Sequence, residues 1–196
     1  MANKNSLRII GGEWRSRRIQ FIDSPKIRPT PDRVRETLFN WLTATINGAS
    51  CLDLFAGSGA LAFESASRGA KQVVLVEEDA RIAATLKQQK ELLQTSVSRD
   101  GDYAHAHSQA LEVKNQNALV YLTNVSQQFD VIYLDPPFDS ELLEKTVPMI
   151  LERKLLSTGG VLYVESAAKQ ELPDSLSQLN CLHKKSNGEV CYALYE

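Results

Sequence analysis

No stretch of about 18 consecutive apolar residues occurs in the sequence, so no segment has the length of a membrane-spanning helix. The first residues are polar and basic, and we therefore expect no secretory signal. Cysteine is scarce: Cys51, Cys181 and Cys191 are far apart and form no Cys-x-x-Cys pair. This pattern argues against disulfides and against a zinc site, and it predicts a protein of the reducing cytoplasm.

Two signatures of phosphate binding are also missing. Residues 53–60 read Asp-Leu-Phe-Ala-Gly-Ser-Gly-Ala, a glycine loop between the end of an apolar run and a helical pattern. The loop has neither the G-x-G-x-x-G spacing of a dinucleotide site nor the Gly-Lys-Ser/Thr ending of a phosphate loop. We therefore expect a ligand that is not held by its phosphates, and S-adenosylmethionine fits better than NAD or ATP. A simple turn that binds nothing is the alternative.

Positive charge is concentrated at the N-terminus, although the whole chain carries a formal net charge of −2. Residues 1–36 hold nine Lys or Arg and four Asp or Glu, a net charge of +5, and the other 160 residues carry −7. A basic arm on an acidic body favours a polyanionic partner that meets one end of the protein. A solvated terminal arm is the alternative.

Two short strands are predicted within this arm, at residues 7–10 and 17–21, on either side of Gly11-Gly12. Arginines stand beside Trp14 here, a mixture that suits RNA because arginine binds phosphates and a ring stacks on bases. Packing in the core is the alternative for Trp14. The predicted RNA-binding residues are Arg8, Trp14, Arg15, Arg17, Arg18, Arg28 and Arg33.

A helix is predicted to follow the hairpin, with Thr30 as its N-cap and Pro31 as its first residue. Apolar residues recur on one face through about residue 46. The helix then leads by a short turn into the first strand of a sheet, which attaches the arm directly to the core. The apolar positions are Val34, Leu38, Trp41 and Leu42.

Acidic side chains follow two of the predicted sheet strands. Asp53 ends the strand before the glycine loop, where it can bind the ammonium group of an amino acid directly or through water. The apolar run at 73–76 ends in Glu77, 18 positions beyond Gly59. An acid at this place can bind both hydroxyls of a nucleoside ribose.

An amide side chain follows the third predicted strand, at 113–116. Asn117 and Ala118 come next, where an amide can contact the edge of an adenine. Because Asn117 also begins a predicted helix, capping alone would explain it. The preceding polar stretch contains His105 and His107, but no third ligand is suitably spaced, so we expect a surface loop and no metal site.

The most specific short motif is Asp135-Pro136-Pro137-Phe138, which follows a buried strand at 129–134. Two prolines cannot continue a central strand, and they stiffen the backbone as it leaves the edge of the sheet. The motif therefore predicts a fixed carboxylate, an available carbonyl and an aromatic ring in one place.

Strands and helices alternate from residue 50 onwards, and Asn187-Gly188 predicts a final hairpin. The order predicts an α/β fold with a mostly parallel, seven-stranded, doubly wound sheet and a C-terminal antiparallel hairpin, preceded by a small basic hairpin and helix. We expect an N-terminal arm over residues 1–46 and a core over residues 47–196, together forming one compact unit.

The motifs DLFAGSG, VLVEED and DPPF, within residues 51–138, resemble those of S-adenosylmethionine-dependent amino-methyltransferases, which methylate exocyclic nitrogens of bases. The segments RIIGGEWRSRRI, RPTPDRVRETLFNWL, YVES and YALYE extend the resemblance over nearly the whole chain to one branch, the bacterial RsmD-type 16S rRNA guanine-N2 methyltransferases. The resemblance implies a Rossmann-like class I methyltransferase fold, S-adenosylmethionine as cofactor, and small-subunit rRNA, within an assembled or assembling particle, as partner.

The resemblance also assigns roles to individual residues. Asp135 and the Pro136 carbonyl would accept hydrogen bonds from a guanine amino group, while Pro137 stiffens the turn and Phe138 stacks on the base. For the cofactor, Glu77 would bind the ribose, and Asn117 with Ala118 would contact the adenine. The loop around the methionine end would comprise Asp53, Phe55, Gly57 and Gly59.

Two other functions share some of these features. A DNA adenine or cytosine amino-methyltransferase has the same core, but only 58 residues follow Phe138, too few for a large DNA-recognition domain. The basic arm would then have to recognise the acceptor, a task that suits a preformed RNA shape. A non-catalytic RNA-binding module is the second alternative, and intact glycine-loop and DPPF motifs argue against it.

Overall fold

The computed structural model describes residues 4–24, 27, 29–95, 110–138 and 140–196. The described helices are α1 (Asp32–Trp41), α2 (Ala60–Ser67), α3 (Ala80–Thr95), α4 (Ala118–Asn124) and α5 (Leu142–Glu152), with a short 3-10 helix at Asp174–Gln178. The described strands are β1 (Lys4–Arg8), β2 (Arg18–Ile22), β3 (Ser50–Asp53), β4 (Gln72–Glu77), β5 (Ala110–Asn115), β6 (Phe129–Leu134), β7 (Leu156–Ala167), β8 (Cys181–Asn187) and β9 (Val190–Tyr195).

Seven of these strands form one sheet in the order β5-β4-β3-β6-β7-β9-β8. Strands β3 to β7 are parallel to their neighbours, whereas β9 runs antiparallel to both β7 and β8. Within this sheet the chain begins at the central strand β3 and continues outwards through β4 to β5. It then crosses back to β6 and β7 and ends in the β8–β9 hairpin. The predicted α/β fold and its C-terminal antiparallel hairpin are confirmed.

Helices cover both faces of the sheet, which explains why its central strands read as continuous apolar runs. On one face, α1, α2 and α3 bury Leu38, Leu61 and Leu86 against Cys51 and other residues of the strands. On the other face, α4 and α5 contribute their apolar side chains to a second cluster. In the part of the chain that the structure describes, no helix is both long and apolar enough to cross a bilayer.

The N-terminal hairpin forms a separate two-stranded sheet, in which Leu7 pairs with Ile19. Its strands differ from the predicted ones: β1 begins earlier and ends at Arg8, and residues 9–10 are not strand. Ile9 still donates its backbone N–H to the carbonyl of Arg17, whereas Ile10 donates its backbone N–H to the Glu64 carboxylate, 2.8 Å away. The connection between β1 and β2 thus binds α2 directly.

Helix α1 begins one residue later and ends earlier than predicted. Pro31 is its N-cap, and no side chain caps the first turn, so the expectation that Thr30 caps the helix is wrong. At the other end, the hydroxyl of Thr43 donates hydrogen bonds to the carbonyls of Phe39 and Asn40, which competes with further helical hydrogen bonds.

A buried ion pair joins the N-terminal region to the core. Arg35 of α1 and Glu64 of α2 are both completely buried, with 3.5 Å between Nη1 and Oε2. Glu64 also accepts a hydrogen bond from Nε of Arg68 at 2.7 Å, and Arg35 donates to the carbonyls of Arg8 and Thr30. The end of β1 and Thr30, which precedes α1, are therefore linked to α2 through Arg35. The division into an arm at 1–46 and a core at 47–196 stays a prediction.

Candidate active site

A cleft of about 640 Å³ opens at the edge where the parallel strands β3, β4 and β6 end. Ligands bind at this edge in open α/β sheets because the loops there converge from neighbouring strands. The cleft brings the glycine loop and Glu77 together with the DPPF motif, as the order of elements predicted. Of the residues predicted for the cofactor and the acceptor, those that line it are Asp53, Phe55, Gly57, Glu77, Asn117, Ala118, Asp135, Pro136, Pro137 and Phe138.

The two loop positions, 57 and 59, require glycine for different structural reasons. Gly57 has a φ of +49°, and a Cβ placed there would meet nothing closer than 3.8 Å, so the loop leaves open space beside its backbone. Gly59 has a φ of +76° and does not line the cleft. A Cβ on Gly59 would lie 2.5 Å from Cε2 of Phe63, so the loop needs glycine there for packing against α2.

Asp53 is a buried carboxyl group at the end of β3, with 2% of its surface exposed. Burial raises the pKa of Asp53 to about 7, the backbone N–H groups of Phe55 and Ala62 oppose that rise, and the charge of Glu77 adds to it. A cationic ligand in the cleft would favour the ionised form. Asp53 is thus suited to an ammonium group.

The carboxylate of Glu77 is fixed by the loops around it. Its Oε2 accepts the backbone N–H of Gly57 at 3.0 Å, and its Oε1 accepts that of Asp79 at 2.8 Å. Burial raises the pKa of Glu77, and these two hydrogen bonds partly offset the rise. Each carboxylate oxygen can accept a second hydrogen bond, so a pair of ribose hydroxyls matches the group.

The side chain of Asn117 is explained by helix capping. Its Oδ1 accepts the N–H groups of Leu119 and Val120, and its Nδ2 donates to Oε2 of Glu78 at 3.2 Å. Helix capping therefore accounts for the Oδ1 of Asn117, and the contact of this side chain with an adenine stays a prediction. Ala118 lies in the first turn of α4, where backbone N–H groups have no partner within the helix and can donate to a ligand.

The DPPF motif leaves the sheet directly after β6. Oδ2 of Asp135 accepts a hydrogen bond from the hydroxyl of Thr30 at 3.3 Å, which fixes the carboxylate from the N-terminal side. The Pro137 carbonyl accepts from Ser140, whereas no described residue donates a hydrogen bond to the carbonyl of Pro136. Phe138 is half-buried at the wall of the cleft. The motif therefore presents two acceptors and a ring to a bound molecule.

Several polar residues of the cleft were not predicted as site residues from the sequence, among them Thr30, Glu165 and Asn187. Thr30 precedes α1, Glu165 lies near the end of β7, and Asn187 lies in the C-terminal hairpin. Glu165 is 4% exposed, and its Oε2 accepts a hydrogen bond from the hydroxyl of Tyr163 at 2.9 Å. Its place near the end of a parallel strand is the signal that could have identified it.

A family model described as Conserved hypothetical protein 95 matches residues 7–196. Relatives named ribosomal RNA small subunit methyltransferase D are 37% identical in Escherichia coli K12, over 100% of this chain and 92% of theirs, and 40% identical in Haemophilus influenzae, over 98% and 95%. The chain belongs to this family. A solved structure, the yhhF protein of Escherichia coli, is 36% identical with a TM-score of 0.81 and covers 97% of both chains. The predicted family is confirmed.

In this member of the methyltransferase D family, the N-terminal tryptophan is part of the core. Trp14 is 2% exposed and packs with the residues beneath α1 and α2. The prediction that Trp14 stacks on RNA is therefore wrong for this conformation, because its ring is covered by protein. The packing alternative is correct.

The predicted RNA-binding arginines are placed differently from one another. Arg17 donates to the carbonyls of Leu92 and Leu93 at the end of α3, so it serves the fold. Arg18 donates to Ser6, and Arg8 lies 3.7 Å from Asp32. Arg15 and Arg33 are exposed, and Arg28 lies outside the described residues. The contact of these arginines with RNA stays a prediction, and none of the described ones lines the cleft.

Metal chemistry has no obvious place in the described residues, where no cluster of three or more His, Cys, Asp or Glu side chains is arranged to hold an ion. His105 and His107 lie outside the residues that the structure describes.

Proposed function

We propose that the protein transfers a methyl group from S-adenosylmethionine to the exocyclic N2 of a guanine in small-subunit (16S) rRNA. The observation that carries the proposal is that one cleft is lined both by Asp53 and Glu77 and by residues 135–138. Members of the family are named ribosomal RNA small subunit methyltransferases, which supports the same acceptor.

The cofactor fits the residues of the cleft. The volume of the cleft, about 640 Å³, lies within the range of small-molecule sites, roughly 300–1,000 Å³. Asp53 would bind the ammonium group, Gly57 allows close approach to the backbone, and Glu77 would bind the ribose hydroxyls. S-adenosylmethionine supplies an electrophilic methyl group on a sulfonium. The acidic character of this end also disfavours a phosphate-bearing ligand.

Asp135 and the Pro136 carbonyl would hold the acceptor amino group. The lone pair of an exocyclic guanine nitrogen is delocalised into the ring, so the nitrogen is a poor nucleophile. Two acceptors that bind its two hydrogens orient the nitrogen so that the lone pair points towards the methyl group. Positioning of this kind supplies a large part of a barrier reduction. Asp135 need not be a strong base, since the nitrogen becomes acidic only as the new bond forms.

Phe138 would stack on the target base. Stacking on an aromatic side chain contributes about 1–3 kcal/mol per base. A base enters such a pocket only after it leaves its own stack, so the target guanine must be unpaired or flipped. We propose that the acceptor is rRNA in an assembled or assembling particle and that the reaction takes place in the cytoplasm.

Methyl transfer to three acceptors tests the proposal. Labelled S-adenosylmethionine is supplied with unmethylated small-subunit particles, naked 16S rRNA or duplex DNA, and the products are digested to nucleosides. We expect N2-methylguanosine from the particle or the rRNA and no label in DNA. Label only in DNA, or in another nucleoside, would contradict the proposal while leaving the fold unaffected. An absence of cofactor binding would favour a non-catalytic module.

A further inference from the structure

The outer strand of the C-terminal hairpin, β8, is exposed and basic. It forms the edge of the seven-stranded sheet and carries His183, Lys184 and Lys185 in succession. All three side chains are exposed, and the one acid of the adjoining turn is Glu189. This edge is thus positively charged on a protein whose residues after position 36 carry −7 overall.

Alternate residues of β8 share the face of the sheet on which α1 lies. His183 pairs with Leu194, Lys185 with Tyr192, and Asn187 with Val190. Directly paired residues project to the same side of a sheet, and Tyr192 and Leu194 belong to the core cluster beneath α1. The side chains of His183, Lys185 and Asn187 therefore form a row on that side.

An aromatic ring of α1 lies against this row. The ring of Trp41 stacks on that of His183 with 4.9 Å between centroids and 17° between planes, and it is tilted against Tyr192 at 5.6 Å. Nζ of Lys185 lies 6.0 Å from the centroid of Trp41. Trp41 is only half-buried. A flat aromatic surface and a cation are thus presented side by side.

The same row leads into the active-site cleft, because Asn187 and Val190 line it. Strand residues rise about 3.4 Å each, so His183 lies about 14 Å along β8 from Asn187. The row of Trp41, His183, Lys185 and Asn187 is called the β8 track below. It runs from the cleft along the edge strand of the sheet.

We propose that the β8 track binds the RNA strand that flanks the target guanine. The proposal rests on the proposed function and names the surface that such an acceptor would use. Cations along an extended strand match a phosphate backbone, and an adjacent ring offers a stacking surface for an unpaired base. The N-terminal hairpin cannot supply that ring, because Trp14 is buried.

The test compares two charge-removing variants at opposite edges of the sheet. The double variant His183→Ala/Lys185→Ala removes the ring and the cation of the β8 track. Lys87→Ala is the matched control: Lys87 is exposed on α3, which packs against β4 and β5 at the other end of the sheet. Binding of naked 16S rRNA and of unmethylated small-subunit particles is measured over a range of salt concentrations, together with kcat and KM for the acceptor that is methylated and the Kd of the cofactor.

We expect the double variant to bind RNA at least about fivefold more weakly. The slope of log K against log salt concentration should fall in magnitude by about one, the value for one lost phosphate contact. The KM of the double variant for RNA rises, while its kcat and the Kd of the cofactor stay within twofold of wild type. In the control variant, the RNA affinity, KM, kcat and the Kd of the cofactor all stay within twofold of wild type. Trp41→Phe, which keeps a ring, retains more RNA affinity than Trp41→Leu at equal thermal stability.

Unchanged RNA affinity and salt dependence in an active double variant would overturn the inference and leave the proposed function intact. Conversely, a wild-type protein that binds RNA through the β8 track but transfers no methyl group would overturn the proposed function alone. Lysines on an edge strand also prevent pairing with other chains. If that were their only role, the double variant would self-associate without any loss of RNA affinity, which would equally overturn the inference.

Discussion

The hydroxyl of Thr30 donates a hydrogen bond of 3.3 Å to Oδ2 of Asp135, across 105 residues of sequence. Thr30 is itself held from behind, because Nε of the buried Arg35 donates to its carbonyl at 3.2 Å. The carboxylate at the acceptor end of the cleft is thus positioned by the segment before α1. The N-terminal region therefore contacts the candidate active site directly.

Replacing Thr30 by valine should slow methyl transfer without weakening cofactor binding. The substitution keeps the size of the side chain and removes the donor to Asp135. We expect kcat to fall about three- to tenfold, because a single hydrogen bond as long as 3.3 Å contributes roughly 1 kcal/mol. Thr30→Ser restores the donor and should restore most of the rate. Equal rates for the valine and serine variants would show that the hydrogen bond does not position Asp135.

Asp135→Ala should abolish methyl transfer and leave the cofactor's Kd within about twofold of wild type. The carboxylate lies at the acceptor end, and removing one preorganised group costs roughly 10²–10³ in kcat. Single-turnover kinetics and calorimetric titration with S-adenosylmethionine measure the two effects separately. Loss of both activity and cofactor binding would mean that Asp135 is structural.

Cofactor binding should strengthen as the pH rises through about 7. Burial raises the pKa of Asp53 to about 7. Below that pH the Asp53 carboxyl of the cofactor-free protein is therefore largely protonated. An ammonium group favours the ionised form, and binding should therefore release a proton near neutral pH. Calorimetry in buffers of different ionisation enthalpy counts that proton. Asp53→Asn should bind weakly at every pH tested, and a wild-type affinity independent of pH would contradict the assignment.

The same shift has a consequence for stability with the opposite dependence on pH. The pKa of Asp53 is 3.8 in the reference state and about 7 when folded, so the folded protein binds more protons between these values. The contribution of Asp53 to stability is therefore fully present below the lower value and is lost as the pH rises towards 7. The raised pKa of Glu77 acts in the same direction. Urea unfolding of wild type and Asp53→Asn from pH 5 to 8 isolates the contribution of Asp53, which the variant should lack.

Arg35→Met should destabilise the fold by about 3 kcal/mol or more. It leaves the carbonyls of Arg8 and Thr30 without their donor and removes one cation from buried Glu64. Arg33→Met is the control: Arg33 is exposed two residues earlier on the same helix, and its loss should change the free energy of unfolding by less than about 0.5 kcal/mol. Urea unfolding compares the two, and equal effects would contradict the role of the buried ion pair.

The succession of strands along the chain and the edge that carries the cleft could be predicted from the sequence for a physical reason. Buried parallel strands are continuous apolar runs, and Asp53, Glu77 and Asp135 each stand where such a run ends. A strand end is local information. The three strand ends meet at one edge because β3, β4 and β6 run parallel to one another.

What the sequence did not reveal depends on distant partners. Arg35 reads as one more surface cation of a basic arm, and only the fold brings it to Glu64, 29 residues away. The sequence around Trp14 suggests an RNA-binding residue among arginines, but its ring is buried in the core. Thr30 has the pattern of a helix cap, yet its hydroxyl bonds to Asp135. In each case a tertiary contact overrides the local pattern.

The modification state of small-subunit rRNA in cells that lack the gene tests the central claim most directly. Mass spectrometry of nuclease fragments from 16S rRNA should show the loss of N2-methylation at a single guanine. Wild-type protein should restore it, and the Asp135→Ala variant should not. A modification pattern that does not change on deletion, or a lost modification that is not N2-methylguanosine, would contradict the account.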